Sequence, residues 1–190
     1  MKKTLTIILA FALVIAMSVA GTVAYLTSQD SVTNTFTVGK VAITLDEAKV
    51  DANGAAVTPE ERVKANSYKL IPGHAYTKDP IIHVDASSEK CWLFVKVENG
   101  ISEIEDSTNT IAAQLTANGW SAVTGAADVY AYEQSVAGGT NVPVFGSFKI
   151  AGNAAVADYA DAKVVVTAYA VQADGFEDAA AAWTASGFGA

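Results

Sequence analysis

The sequence has little of what a disulfide-stabilised or catalytic domain uses. Its 190 residues include one cysteine, Cys91, so no disulfide can form within the chain. There are two histidines, His74 and His83, and no HExxH motif joins them, whereas a zinc peptidase needs two imidazoles on one face and a carboxylate base. A site that uses both histidines would require the fold to bring the turn of His74 back to the strand of His83. No glycine-rich phosphate-binding motif follows a predicted strand.

Basic residues are also few, with 12 Lys and Arg against 20 Asp and Glu. Lys2 and Lys3 lie before a hydrophobic leader, so the rest of the chain has 10 basic and 20 acidic residues, a net charge of −10. Nucleic acid is therefore excluded as an expected partner, because phosphate binding needs a basic face. The acidic balance suits an extracellular protein whose copies repel one another until a specific contact overrides the repulsion.

The N-terminus has the pattern of a signal peptide, predicted over residues 1–24. Two lysines precede an uncharged run over residues 5–20, which is shorter than the about 20 residues of a membrane-spanning helix. Small residues follow, and we predict cleavage between Ala24 and Tyr25, with Ala20 as the other possible site. An uncleaved anchor is the alternative, but no basic stop-transfer cluster follows Ala24. Roughly 165 residues remain, enough for one domain.

A polar arm over residues 25–37 opens the mature chain, and one domain over residues 38–190 follows. Within the arm the apolar residues are Tyr25, Leu26, Val32 and Phe36. After the arm, apolar residues alternate with polar ones, as in a half-buried strand. The apolar residues of this strand are Val41, Ile43 and Leu45.

The rest of the sequence predicts mostly strands separated by turns. We expect strands over residues 75–84 (bent or at a sheet edge, because of Pro80), 90–98, 120–124, 129–134, 142–150 and 163–172, and short helices over 58–66, 107–117 and 177–185. Residues 164–171 are apolar at both alternating positions, which predicts a place in the middle of a sheet. The predicted fold class is mainly all-β: a jelly-roll-like antiparallel β-sandwich with a few short helices.

Other residues that could take part in chemistry have simpler interpretations. Asp51 and Asn53 resemble the start of a calcium loop, but the later ligands are missing, and a turn ending at Gly54 is the simpler interpretation. Cys91 falls on the inward face of its strand, where a free thiol packs as a small hydrophobe. We therefore predict no enzyme activity, no cofactor, no metal site and no catalytic residue.

Three stretches resemble the TasA/camelysin family of exported proteins of Gram-positive bacteria. The first is GTVAY followed by FTVG, residues 21–25 and 36–39, which resembles the junction cut by a SipW-type signal peptidase. The second is LIPGH with TKD, residues 70–74 and 77–79. The third is the closing AYAVQADGF, residues 168–176, leading to Trp183.

The resemblance implies a jelly-roll sandwich that is secreted to the extracellular matrix or cell surface and assembles into biofilm matrix fibres. In such fibres the N-terminal arm of one subunit completes the sheet of the next, a form of donor-strand complementation. It implies Leu26, Val32 and Phe36 as candidate donor-strand anchors. It also implies three partners: other copies of the chain in a head-to-tail homopolymer, a SipW-type peptidase that processes it, and an accessory matrix or anchoring protein. The alternatives are a camelysin-like surface metallopeptidase and a monomeric surface adhesin.

Overall fold

A computed structural model describes residues 39–188, together with Lys3 and Ala12 of the preceding unit. The arm, both residues of the predicted cleavage site and the three predicted anchors therefore lie outside the described residues. In the described domain no helix is long and apolar enough to cross a membrane.

The domain consists mainly of antiparallel strands, which confirms the predicted fold class. The strands are β1 (Ile43–Ala48), β2 (Arg62–Val63), β3 (Ala75–Thr77), β4 (Ile81–Val84), β5 (Cys91–Asn99), β6 (Trp120–Ala122), β7 (Val129–Tyr132), β8 (Asn141–Pro143), β9 (Ser147–Lys149) and β10 (Val164–Gln172). Two helices, α1 (Ile111–Ala117) and α2 (Ala179–Ser186), and one 3-10 turn (Val156–Tyr159) complete the fold.

Two four-stranded sheets pack on one hydrophobic core. The first sheet has the order β2-β1-β4-β8, the second has the order β10-β5-β7-β6, and β3 pairs separately with β9. All the strand pairs among the described residues are antiparallel. Alternate residues of β5 point into the core, as their spacing predicted, and all four are buried: Cys91, Leu93, Val95 and Val97.

Two predicted strands are each divided in two, so single continuous strands at 75–84 and 142–150 were wrong. Pro80 lies between β3 and β4. Beside it, the Asp79 carboxylate accepts a 2.7 Å hydrogen bond from the backbone amide of Ala48. Between β8 and β9, Val144 and Phe145 are adjacent and both buried. Two neighbouring residues cannot both face the core in a regular strand, so the chain bends there.

The predicted helix over residues 58–66 was wrong. That segment runs beside β1 and forms the short strand β2. Arg62 is held by Asp46 at 2.6 Å and by Asp79 at 3.0 Å, while the Asn66 side chain accepts from the Val50 amide. These tertiary contacts satisfy the backbone and outweigh a capping signal that acts only within one helical turn.

The other predicted helices form close to their expected positions. Thr110 caps α1 by accepting from the Ala113 amide at 3.1 Å, and Asp178 caps α2 by accepting from the Ala181 amide at 2.8 Å. The ring of Trp183 packs on that of Phe94, with 5.0 Å between centroids, so α2 covers the outer face of the second sheet. Trp183 therefore holds the last helix on the second sheet.

The turn at residues 51–54 forms as predicted, and the Asp51 carboxylate holds it through hydrogen bonds from backbone amides. One of its oxygens accepts from the Asn53 amide at 2.8 Å and from the Ala55 amide at 2.9 Å. Gly54 has φ of +78°, and a Cβ there would lie 2.8 Å from the Cα of Tyr76. Asp51 therefore organises a glycine-requiring turn that packs against β3.

Candidate strand-docking edge

The longest strand edge among the described residues belongs to β10. All nine residues of this strand, Val164–Gln172, pair with β5 on one side. On its other side no strand of residues 39–188 pairs with it. The prediction that residues 164–171 lie in the middle of a sheet was therefore wrong for the described domain. This stretch places apolar side chains on both faces of the strand, yet it forms the border of the second sheet.

The direction of the free backbone groups follows from the bonds at the two ends of β10. The Gly100 amide donates to the Lys163 carbonyl at 2.9 Å, and the Ala173 amide donates to the Lys90 carbonyl at 2.8 Å. Odd-numbered residues of β10 therefore bond to β5, and by alternation the even-numbered ones direct both N–H and C=O away from it. The residues with outward backbone groups are Val164, Val166, Ala168, Ala170 and Gln172.

The side chains along this edge leave the hydrophobic core incompletely covered. None of the nine residues of β10 is buried, although the core-facing ones touch the core cluster, and Val165 on the outer face is 42% exposed. Cα atoms of β10 and β1 come within 8 Å of one another, so these two strands border the same side of the sandwich. We call this side the seam. Its partly buried apolar residues are Val41, Ile43, Leu45, Val164, Val166, Ala168 and Ala170.

The opposite side of the sandwich is closed. Trp120, Leu115 and Phe145 are each 1% exposed, and Val142 is 2% exposed. The Trp120 indole N–H donates to the Pro143 carbonyl at 3.0 Å, which joins the two sheets there. Among residues 39–188 the core is thus sealed at β6 and β8 and only partly covered at the seam between β1 and β10.

Natural proteins usually protect an edge strand with charge, proline or short length. Both edge strands of the first sheet have these features: β2 has two residues and an ion-paired Arg62, and β8 has three residues, including Pro143. By contrast, β10 has nine residues, none of them charged and none of them proline. Such an edge is a template for another strand.

The first sheet carries a row of polar side chains on its outer face. Asp46 accepts from Arg62 at 2.6 Å and from His83 at 2.9 Å, and the His83 ring also contacts the Asn141 side chain at 2.8 Å. Burial alone would raise the pKa of Asp46, but the hydrogen bonds from His83 and Arg62 outweigh it and the pKa is lowered. The row therefore joins β2, β1, β4 and β8 and fixes the sheet on which β1 lies.

A buried ion pair lies at one end of the core. Lys78 and Glu47 are 9% and 4% exposed, and their charged atoms are 2.5 Å apart. The Glu47 carboxylate also accepts a hydrogen bond from the side-chain amide of Asn66 at 3.0 Å. Burial, together with the charge of Glu47, raises the pKa of Tyr68. Each group of the pair has a partner, so the pair serves the fold rather than a free ligand.

The histidines have separate partners. His74 contacts the Asn53 carbonyl at 2.8 Å and the ring of Tyr76, whereas His83 belongs to the polar row. Across residues 39–188, no three His, Cys, Asp or Glu side chains are grouped so that they could hold a metal ion. A shallow hollow of about 180 Å³ beside His83 is smaller than the usual ligand pocket of about 300 Å³ or more. Cys91 is fully buried, and its burial raises the pKa of the thiol.

A comparison of the sequence with protein-family models gives no match, and searches for similar curated proteins and similar solved structures also give none. The class of protein is therefore defined by its architecture: an antiparallel β-sandwich with one long, apolar, unprotected edge strand in its described part.

Proposed function

We propose that this chain is a secreted structural protein that assembles head-to-tail into extracellular fibres of a biofilm matrix. The observation that supports the proposal most is the free edge of β10. This edge has outward backbone donors and acceptors at alternate residues and a partly open core behind it. A strand that docks there would gain main-chain hydrogen bonds and would bury the seam.

The arm, residues 25–37, is the strand we assign to this edge. It has β-branched and aromatic residues, no basic residue and only one acidic residue, Asp30. A chain with one donor arm and one acceptor edge makes a heterologous contact that need not close, so it grows as a filament. Strand addition also explains how acidic subunits can associate, since main-chain bonds do not depend on side-chain charge.

Export and processing complete the proposal. The leader would direct the chain out of a Gram-positive cell, and a SipW-type signal peptidase would cut it near Ala24, releasing Tyr25 as the new N-terminus. The product would lie in the matrix or at the cell surface, where an accessory protein could hold the first subunit. Before cleavage the arm remains attached to the leader, so processing would also permit assembly.

The test combines N-terminal sequencing of the secreted protein with electron microscopy of the same sample. We expect an N-terminus within a residue or two of Tyr25, and filaments that disappear when residues 25–32 are deleted. Filaments of unchanged length and number from the deleted chain would refute assembly through the arm. Hydrolysis of casein that a chelator abolishes would instead favour the metallopeptidase. A monomer that binds a surface glycan would favour the adhesin.

A further inference from the structure

The path of the chain into the domain restricts how a strand can dock on β10. Gly39 lies against Glu89, and the Glu89 amide donates to the Lys40 carbonyl at 3.0 Å. The next residue, Lys90, accepts from the Ala173 amide at 2.8 Å. The arm therefore joins its own domain beside the C-terminal end of β10, close to Gln172.

This attachment point determines the direction in which a chain can cover its own edge. An arm that folds back onto its own β10 must finish near Gln172, so it must run parallel to that strand. To run antiparallel it would have to finish near Val164, at the far end of nine residues, about 26 Å away at about 3.3 Å per residue. Only Thr37 and Val38 lie between Phe36 and Gly39, and this connection spans at most about 11 Å.

A second copy has no such restriction, because its domain is free to take any position. Antiparallel pairing is slightly more stable per residue than parallel pairing, and all the strand pairs of the described domain are antiparallel. We therefore infer that the strand on β10 is the arm of a second copy, antiparallel to β10. This inference rests on the proposed function and adds to it the polarity of the contact.

The spacing of the arm fits this arrangement. Leu26, Val32 and Phe36 are all even-numbered, so an extended arm places them on one face. The core-facing residues of β10 that border the seam include two alanines, Ala168 and Ala170, whose small side chains leave space for larger ones opposite. This face, which also carries Ser28, Asp30 and Asn34, would turn towards the seam, and the odd-numbered Thr and Ser residues of the arm would lie in solvent.

Cross-linking between differently tagged chains tests both the source and the polarity of the docked strand. One secreted chain carries Thr37→Cys. Its partner carries either Lys163→Cys or Asp174→Cys, two exposed positions that flank opposite ends of β10. Cys91 is fully buried, so we expect it not to react in the folded chain. The cross-linker is a thiol reagent of about 8 Å, and links between the two tags arise only between chains.

We expect the Lys163→Cys partner to give at least tenfold more mixed cross-links than the Asp174→Cys partner, because the antiparallel arm ends near residue 163. Preference for Asp174→Cys would mean a parallel strand and would overturn the inference. In that case filaments that still depend on the arm would leave the proposed function standing. Monomeric chains, whether or not the arm is deleted, would refute both.

Discussion

Replacing Ala168 by proline tests the role of the β10 edge most specifically. The N–H of Ala168 points away from β5, so proline removes a donor from the docking edge without breaking a bond within the sheet. Proline is tolerated at an edge strand where its missing N–H faces outwards. The variant should therefore fold and yet bind an incoming strand poorly.

The size of the effect follows from the single bond that is lost. A docked strand would keep a carbonyl opposite Ala168 with no donor, which costs about 1–3 kcal/mol when the group is shielded from water. Since 1.4 kcal/mol is a factor of about ten in affinity, the contact should weaken about 5- to 150-fold. The protein concentration above which filaments form should rise by the same factor.

The assay is sedimentation of filaments across a concentration series, with Ala168→Ser as the matched control. Serine has nearly the same size as alanine and keeps the backbone N–H, so we expect its critical concentration to stay within about threefold of the parent. Near-ultraviolet circular dichroism and urea unfolding establish that both variants keep the fold. A proline variant that is natively folded and polymerises at the parental concentration would refute docking at this edge.

Three further predictions concern the domain itself. Lys78→Met leaves the Glu47 carboxylate buried without its cation and should lower the free energy of unfolding in urea by about 3–5 kcal/mol, whereas Lys78→Met combined with Glu47→Leu should recover most of that loss. Hydrogen bonds from Lys149 and from Thr108 hold the pKa of Asp106 below its usual 3.8, so the ionised carboxylate stabilises the fold above about pH 4. This contribution is lost as the pH falls through the lowered pKa. Asp106→Asn should flatten that part of the profile of unfolding free energy against pH, and an unchanged profile would contradict the contact. The Cys91 thiol should react with a chromogenic disulfide only as fast as the domain unfolds, and rapid labelling in native buffer would show that the core opens locally.

Much of the fold could be predicted from the sequence because strand alternation and helical spacing are local signals. The four inward residues of β5 lie where the alternation indicated, and α1 and α2 form close to the predicted stretches 107–117 and 177–185. Predictions failed where distant residues decided the structure. The segment around Arg62 has a helix-start pattern, but Asp46 and Asp79 hold it beside β1.

The candidate site was harder to predict than the fold, because an edge is defined by what a strand lacks. Residues 164–171 place apolar side chains on both faces of the strand, which is the same pattern that a central strand shows. Only the pairing of β10 with β5 on one side reveals a border. The nearest sequence signal is the pair Ala168 and Ala170, whose small side chains do not fill the space between two sheets.

The central claim is that one copy's arm occupies another copy's β10 edge, and mixing two half-competent chains tests it most directly. One chain lacks residues 25–37 and can only accept a strand; the other carries Ala168→Pro and mainly donates one. At a concentration between the critical concentrations of the parent and of the proline variant, each chain alone should be monomeric. Together they should form a 1:1 heterodimer in analytical ultracentrifugation and grow no further. Two monomers in the mixture, under conditions where the parent chain forms filaments, would contradict the account.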